Sequence, residues 1–267
     1  LAHAELQDVH AERTGHIEGR DREEILRYLR HEMGHVVNYA YRLYDTAEWE
    51  ALFGSMSEPY EDDYRPVPFS RLHVRHLPGW YAQKHPDEDW SETFAVCITP
   101  GLNWRAEYAT RPAALAKLEY CERTIASLLD RDPVVVDDEL DEDVGDMEYS
   151  LAQFYRDLAP DESRLGLNLD TMLRSVFPAP APREDAAALM RAADLLSRLE
   201  GELLGNVYRW TGHFPERTRV LLDHLHARAQ SLELHYRADE EAAVTVALAT
   251  LVTSLAMNYV QSGAYLR

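Results

Sequence analysis

The N-terminal half of the chain is organised around the segment RDREEILRYLRHEMGHVVNYAYRLY, residues 20–44. Its apolar residues recur at steps of three and four positions, the spacing of one face of an α-helix. Acidic residues at positions 21, 23 and 24 complement the positive end of a helix that begins there. The segment therefore predicts one long amphipathic helix, with an apolar face made of Ile25, Leu26, Leu29, Met33, Val36, Val37, Ala40 and Leu43.

The motif HEMGH, residues 31–35, lies in the middle of this helix and is a candidate metal site. His31 and His35 are four residues apart, so both imidazoles lie on one helix face and can bind the same ion. Glu32 follows the first histidine and can serve as a general base toward water at the open side of the metal. The spacing H-E-x-x-H also occurs by chance, so its surroundings matter.

The residues around this motif predict a buried helix. Leu29, Met33 and Val36 carry no charge, as expected if the helix is buried and its metal face lines a cleft. A glycine inside a helix costs about 1 kcal/mol relative to alanine. Gly34 is therefore predicted to mark a close approach of another element.

A catalytic zinc site needs a third protein ligand and an open position. The segment DEDWSETFA, residues 87–95, opens a second predicted helix and places Glu88 and Glu92 one turn apart. Such a pair can supply one metal ligand and one carboxylate that orients a ligating histidine. The spacing alone leaves open which glutamate has which role.

The charge composition indicates which classes of binding partner are expected. The formal net charge is -20, and it is spread evenly: residues 1–130 carry 14 basic and 23 acidic groups, and residues 131–267 carry 13 and 24. A nucleic-acid partner is not expected, because binding phosphates requires clustered Lys and Arg. Neutral or cationic peptides are easier to accommodate. The two cysteines, Cys97 and Cys121, form no disulfide framework, so we expect a cytoplasmic protein.

The remaining segments predict a helical protein in two parts. Residues 54–80 are rich in proline and glycine and form a long irregular connection, while residues 86–98 and 112–129 are helical. Eight acidic residues within 137–148 indicate a solvated linker, and residues 134–136 are the one strand-like run. Further helices are expected near 148–158 and 169–177, then a Pro-Ala hinge at 178–182, and a bundle of helices over 184–210, 216–235 and 239–261.

We therefore predict a catalytic domain at residues 1–130, an acidic linker at 131–147 and a helical bundle domain at 148–267. The apolar run at residues 242–260 approaches the length of a membrane span. It contains three threonines, a serine and an asparagine, so a buried bundle helix is favoured and a membrane span is not expected.

The two motifs together resemble a known family. H-E-x-G-H followed by E-x-x-x-E-x-F on a later helix is similar to the gluzincin metallopeptidases, including the lethal-factor-like enzymes. The phrase HPDEDWSET, residues 85–93, is similar to one found in bacterial zinc-binding metallopeptidases. The resemblance covers residues 24–98. It implies a zinc peptidase that binds one Zn²⁺ per chain.

The resemblance also implies roles for individual residues. His31, His35 and Glu88 would bind zinc, Glu32 would be the general base, and Glu92 would orient a ligand. Tyr81 stands seven residues before Glu88, where lethal-factor-like enzymes place a tyrosine that stabilises the oxyanion or protonates the leaving amine. The alternatives for Tyr81 are an ordinary aromatic of the groove beside Trp80, or replacement in this role by His73 or His76.

One departure concerns the sheet that zincin folds place before the metal helix. About twenty residues precede the helix here, so a sheet would lie upstream, or residues 1–19 and 54–80 would supply a reduced one. We predict a mainly α fold, with a zincin-like core containing little or no sheet, followed by the helical bundle.

The predicted function is zinc-dependent hydrolysis of peptide bonds in a peptide or protein substrate. Two alternatives use the same residues: a non-catalytic zincin-like binding or scaffold protein, and a zinc hydrolase of a non-peptide amide. No other cofactor is expected, and the sequence does not indicate an oligomeric state.

Overall fold

The computed structural model describes residues 19, 21–61, 64–136, 150, 153, 169–178, 189–263 and 265. These residues form two compact units, one within residues 19–153 and the other within residues 169–265. The described part is mainly helical and contains one sheet of two short strands, which confirms the predicted fold class. Of the predicted segments, residues 1–18, most of the acidic linker, most of the helix near 148–158 and most of the 178–182 hinge lie outside the described residues.

Five α-helices of the N-terminal unit have bounds within the described residues. They are α1 (Arg22–Tyr41), α2 (Ala47–Phe53), α3 (Pro86–Cys97), α4 (Trp104–Tyr108) and α5 (Pro112–Leu128). Short 3₁₀ segments lie at Leu43–Asp45 and Pro78–Gln83. The helices predicted from residues 20–44, 86–98 and 112–129 are α1, α3 and α5, whereas α2 and α4 were not predicted.

Local sequence explains where the two site helices begin. The Asp21 side chain caps α1 by accepting from the backbone N–H of Glu24 at 2.9 Å. The His85 side chain caps α3 by accepting from the backbone N–H of Asp87 at 3.2 Å, and Pro86 occupies the first turn, where its missing donor costs nothing. These caps fix the residues at which α1 and α3 begin.

Helix α3 is the centre of this unit and packs against α1, α2 and α5. Every residue from Pro86 to Val96 is buried, including the acidic side chains of the first turn. Trp90 lies in an aromatic core with Trp49, Phe53 and Tyr120. An acidic helix start is more often solvated, so the burial of this one requires specific partners for each carboxylate.

Helix α1 is less buried than its sequence predicted. It buries only His31, Gly34 and Asn38, which face α3. Leu29, Met33 and Val36 are 46%, 50% and 58% exposed, so the prediction that these residues would be buried is wrong. The reason is that α1 packs through one narrow face, while its apolar residues extend around the opposite side.

The connection between α2 and α3 is irregular, as predicted from its prolines and glycines. Its described residues contain no strand, so the reduced sheet considered for residues 54–80 is not found there. Residues 134–136 are not a strand either. Instead, the backbone N–H groups of Val134 and Val135 both donate to the carbonyl of Ala40 at the end of α1, at 2.8 and 3.0 Å.

The C-terminal unit is a helical bundle with a small antiparallel sheet. Its described elements are α6 (Leu169–Val176), β1 (Leu189–Arg191), α7 (Ala192–Thr211), α8 (Pro215–Ser231), β2 (His235–Arg237) and α9 (Glu241–Ser262), with a 3₁₀ turn at Ala238–Glu240. Met190 pairs with Tyr236 at the centre of the sheet. The prediction of continuous helix through residues 189–191 and up to residue 235 was wrong, because pairing between these distant segments satisfies their backbone groups.

Helix α9 is the one described helix long and apolar enough to cross a membrane by length and composition, a test that core helices of soluble proteins also pass. One of its faces, including Leu248, Val252 and Leu255, belongs to the core formed with α6, α7 and α8. This packing matches the bundle helix predicted from residues 239–261.

The bundle contains a buried neutral histidine that makes its stability depend on pH. His213 bonds Thr218 Oγ1 through Nδ1 at 2.7 Å and the Tyr265 hydroxyl through Nε2 at 3.0 Å. Burial, reinforced by the charge of Arg217, lowers the pKa of His213 from its usual 6.5 to about 3. His213 therefore binds a proton less readily in the folded state than in the unfolded chain. The stability that the neutral His213 contributes above pH 6.5 is lost as the pH falls toward 3.

We expect the bundle to lose about 1.4 kcal/mol per pH unit below 6.5, or about 2 kcal/mol at pH 5. Hydrogen exchange of α8 and α9 peptides at several pH values, corrected for intrinsic exchange rates, measures this loss. The His213→Gln variant should be less stable at pH 7 but should show a flatter pH dependence. An unchanged slope in that variant would assign the loss to other groups.

Candidate metal centre

The site lies where α1 and α3 approach most closely. A Cβ added at Gly34 would lie 2.7 Å from the Cα of Ser91, so only glycine fits there without movement. The Trp90 indole donates to the carbonyl of Gly34 at 2.8 Å and holds the two backbones together. The close approach predicted for Gly34 is found, and its partner is α3.

Three donor atoms from the two helices meet at one point. His31 Nε2 lies 2.9 Å from Glu88 Oε2 and 3.2 Å from His35 Nε2, and His35 Nε2 lies 3.3 Å from Glu88 Oε2. Zinc bonds of about 2.0–2.1 Å in tetrahedral geometry require ligand atoms about 3.3 Å apart. The triangle therefore has the dimensions of one face of a tetrahedral zinc site, and these three residues are the one group of potential metal ligands found among the described residues.

Glu92 orients the first histidine. Its Oε1 lies 3.0 Å from His31 Nδ1, on the opposite side of the ring from the metal position. The same carboxylate accepts from the backbone N–H groups of His76 at 2.7 Å and Leu77 at 2.8 Å. Glu92 is fully buried, so these three donors satisfy a carboxylate that has no access to water. This geometry corresponds to the orienting role that the resemblance implied.

Asp87 orients the second histidine, a role that the sequence interpretation missed. Asp87 Oδ2 lies 2.8 Å from His35 Nδ1. Asn38 donates to Asp87 Oδ1 at 2.7 Å, and the Tyr39 hydroxyl donates to Oδ2 at 3.0 Å. Asn38 follows His31 by seven positions and His35 by three, so helical periodicity alone could have placed it on the metal face.

These outer contacts determine the chemistry of the inner atoms. Because each Nδ1–H points at a carboxylate, the two neutral imidazoles both present unprotonated Nε2 atoms to the same point. Two lone pairs 3.2 Å apart beside an ionised Glu88 repel one another unless a positive charge lies between them. The donor set thus fits a divalent zinc ion.

The pKa values of the three donor residues also indicate that the site favours a positive charge. Burial lowers the pKa of His31, but hydrogen bonds to Glu88 and Glu92 outweigh it and raise the pKa to about 9. Burial likewise opposes protonation of His35, while Asp87 and Glu88 raise its pKa to about 10. Burial raises the pKa of Glu88, yet hydrogen bonds from His31, His35 and Tyr60 bring it well below its usual range. Without a metal, protons take the place of the cation.

Tyr81 is the best placed of the candidates for oxyanion stabilisation. Its ring lies 5.6 Å from the ring of His31. The imidazole of His76 instead contacts the carbonyl of Arg27 at 3.0 Å, and His73 lies near Ser70 and Asp89. The described contacts of both histidines are thus directed away from the three donor atoms.

The backbone before Tyr81 is unusual. Trp80 has φ of 60°, a conformation that residues with a Cβ rarely adopt, and it follows Gly79 at φ of 81°. The Trp80 ring is buried, with Phe69 at 4.9 Å and the guanidinium of Arg75 at 4.0 Å. This packing stabilises a strained turn immediately before Tyr81.

Tyr60 lies beside Glu88, and Glu32 follows His31 in the sequence. Glu32 is exposed on α1 and accessible to water. Tyr60, from the connection after α2, donates a hydrogen bond to Glu88 Oε1, and its hydroxyl lies 3.4 Å from that of Tyr81. The sequence offered no signal for Tyr60, because it precedes Glu88 by 28 positions in an irregular segment.

Comparison with known proteins identifies a related family for the N-terminal part of the chain. Residues 1–128 match the model of a family described as "putative zinc-binding metallo-peptidase". The match includes both motifs and confirms the resemblance predicted from them. No curated protein and no solved structure matches the chain significantly.

Proposed function

Because residues 1–128 match a family of zinc-binding metallopeptidases, we propose that this chain is a zinc peptidase of the gluzincin type, with one Zn²⁺ held by His31, His35 and Glu88. The observation that carries the proposal is the convergence of three potential ligand atoms, His31 Nε2, His35 Nε2 and Glu88 Oε2, within 3.3 Å of one another. When bound, zinc supplies Lewis acidity, which polarises a carbonyl and lowers the pKa of water.

Two side chains would then act on the reacting atoms, Glu32 by proton transfer and Tyr81 by a hydrogen bond. The Glu32 carboxylate accepts a proton from the attacking water and returns it to the leaving amine. The Tyr81 hydroxyl donates a hydrogen bond to the oxygen that becomes negative in the transition state. Glu92 and Asp87 keep His31 and His35 oriented, so the site needs little rearrangement during turnover.

Substitution of Glu32 separates catalysis from metal binding. In Glu32→Gln we expect one zinc per chain, as in the wild type, and peptide hydrolysis reduced by about 10²–10⁴-fold, because the amide cannot accept the proton. His35→Ala should lose both zinc and hydrolysis. Elemental analysis and cleavage of an unstructured peptide mixture provide the two measurements.

Glu23→Gln is the matched control, since Glu23 is an exposed glutamate in the first turn of the same helix. It should retain both zinc and hydrolysis. Wild-type rates in Glu32→Gln would contradict the mechanism. Zinc-loaded wild-type protein that cleaves small amides but no peptide would point to a non-peptide substrate, and protein that hydrolyses neither would point to a scaffold.

We place the activity in residues 1–130, with 131–147 as linker and 148–267 as a separate bundle domain. The family match ends at residue 128, and each site residue described above lies before residue 93. Both facts support the placement of the activity in residues 1–130.

A further inference from the structure

The two oxygens of Glu88 have different partners. Oε2 faces the Nε2 atoms of His31 and His35 at 2.9 and 3.3 Å. Oε1 accepts a hydrogen bond from the hydroxyl of Tyr60. Glu88 is 3% exposed, so water cannot easily replace Tyr60 as the donor to Oε1.

Tyr60 is half-exposed, and its ring contacts the two residues that precede α3. His85 Nε2 contacts the carbonyl of Glu58 at 3.1 Å and, since its Nδ1 caps α3, that Nε2 carries the proton. The His85 ring also lies 5.4 Å from the ring of Tyr60. Lys84 Nζ lies 4.2 Å from the centre of the Tyr60 ring, within range of a cation–π contact.

We infer that Tyr60 is a positioning residue that keeps Glu88 a one-oxygen ligand and so preserves the open coordination position. This inference rests on the proposed zinc site. A carboxylate whose second oxygen has no other partner can turn and bind the metal with both oxygens, filling a position that substrate or water requires. The Tyr60 hydrogen bond directs Oε1 away from the metal and prevents that rotation.

The role of Tyr60 differs from that of Tyr81. The hydroxyl hydrogen of Tyr60 is committed to Glu88 Oε1, so it does not donate to the oxyanion. Its oxygen lies 3.4 Å from the Tyr81 hydroxyl and can accept from it between turnovers. Tyr60 therefore acts through a metal ligand, whereas Tyr81 is positioned to contact the substrate.

The test uses the full chain loaded with cobalt(II), whose visible spectrum reports the coordination number. Tyr60→Phe should give the weaker absorption of a five-coordinate ion, whereas wild type should give the stronger absorption of a four-coordinate one. Zinc affinity, measured by competition with a chelator, should change by up to about tenfold. Tyr64→Phe is the matched control, because its hydroxyl donates to the carbonyl of Gly79 at 2.7 Å; its spectrum should equal that of wild type.

The outcomes separate this inference from the proposed function. Wild-type protein that binds neither cobalt nor zinc overturns the zinc site itself. Wild-type and Tyr60→Phe proteins with identical spectra overturn the positioning role and leave the zinc site standing. X-ray absorption of zinc-loaded wild type provides a check without any variant: two Glu88 oxygens at bonding distance would overturn the inference, and one supports it.

Discussion

Gly34→Ala is expected to lower the free energy of unfolding of the N-terminal unit by about 1–3 kcal/mol and to weaken zinc binding by about 10- to 100-fold. The new methyl group would lie 2.7 Å from the Cα of Ser91, so α1 and α3 must move apart. The movement separates His31 and His35 from Glu88 and lengthens the bond from Trp90 to the Gly34 carbonyl. Tryptophan fluorescence reports this unit, because four of the five tryptophans lie in it.

A glycine-to-alanine substitution within α7 should instead raise the stability of the protein. Gly201 and Gly205 lie within α7, where an added Cβ meets nothing within 4 Å. Gly201→Ala should stabilise the bundle by about 1 kcal/mol, since alanine is the better helix former. Stabilisation and unchanged zinc affinity in Gly34→Ala would show that the close approach of α1 and α3 is not needed.

Lys117→Met is expected to destabilise the N-terminal unit by about 3–5 kcal/mol, because it leaves a buried carboxylate without its cation. Lys117 on α5 forms an ion pair with Asp89 on α3, and the two side chains are 8% and 3% exposed. Burial raises the pKa of Asp89 to about 7, against the opposing effect of Lys117. Urea denaturation followed by tryptophan fluorescence measures the loss.

Two further variants test the cause. Lys117→Met combined with Asp89→Asn removes both charges and should recover a large part of the lost stability. Arg123→Met breaks the exposed pair with Glu48, 2.8 Å apart, and should cost no more than about 1 kcal/mol. Equal losses in Lys117→Met and Arg123→Met would contradict the importance of burial.

Local sequence patterns were sufficient to predict α1 and α3, the two helices that carry the site. The three- and four-residue steps in residues 20–44 predicted α1, and Pro86 with its acidic first turn predicted the start of α3. The spacing of His31 and His35 and that of Glu88 and Glu92 follow from 3.6 residues per turn, a property of each helix by itself. Gly34 was recognisable because glycine inside a helix is costly.

Those patterns could not predict contacts between segments that are far apart in the sequence. The spacing of Glu88 and Glu92 left their roles open, and only the packing of α3 on α1 brings Glu88 to Nε2 and Glu92 to Nδ1 of the same imidazole. Asp87 and Tyr60 acquire their roles in the same way. The pairing of β1 with β2 and the exposed apolar side of α1 were likewise unpredicted.

Periodicity therefore identified which residue types share a helix face and made zinc chemistry the favoured interpretation. The orientation of each donor atom depends on side chains that lie far apart in the chain, such as Glu92 beside His31 and Tyr60 beside Glu88. Local sequence does not determine these contacts, because hydrogen bonds across helices form only when the core packs.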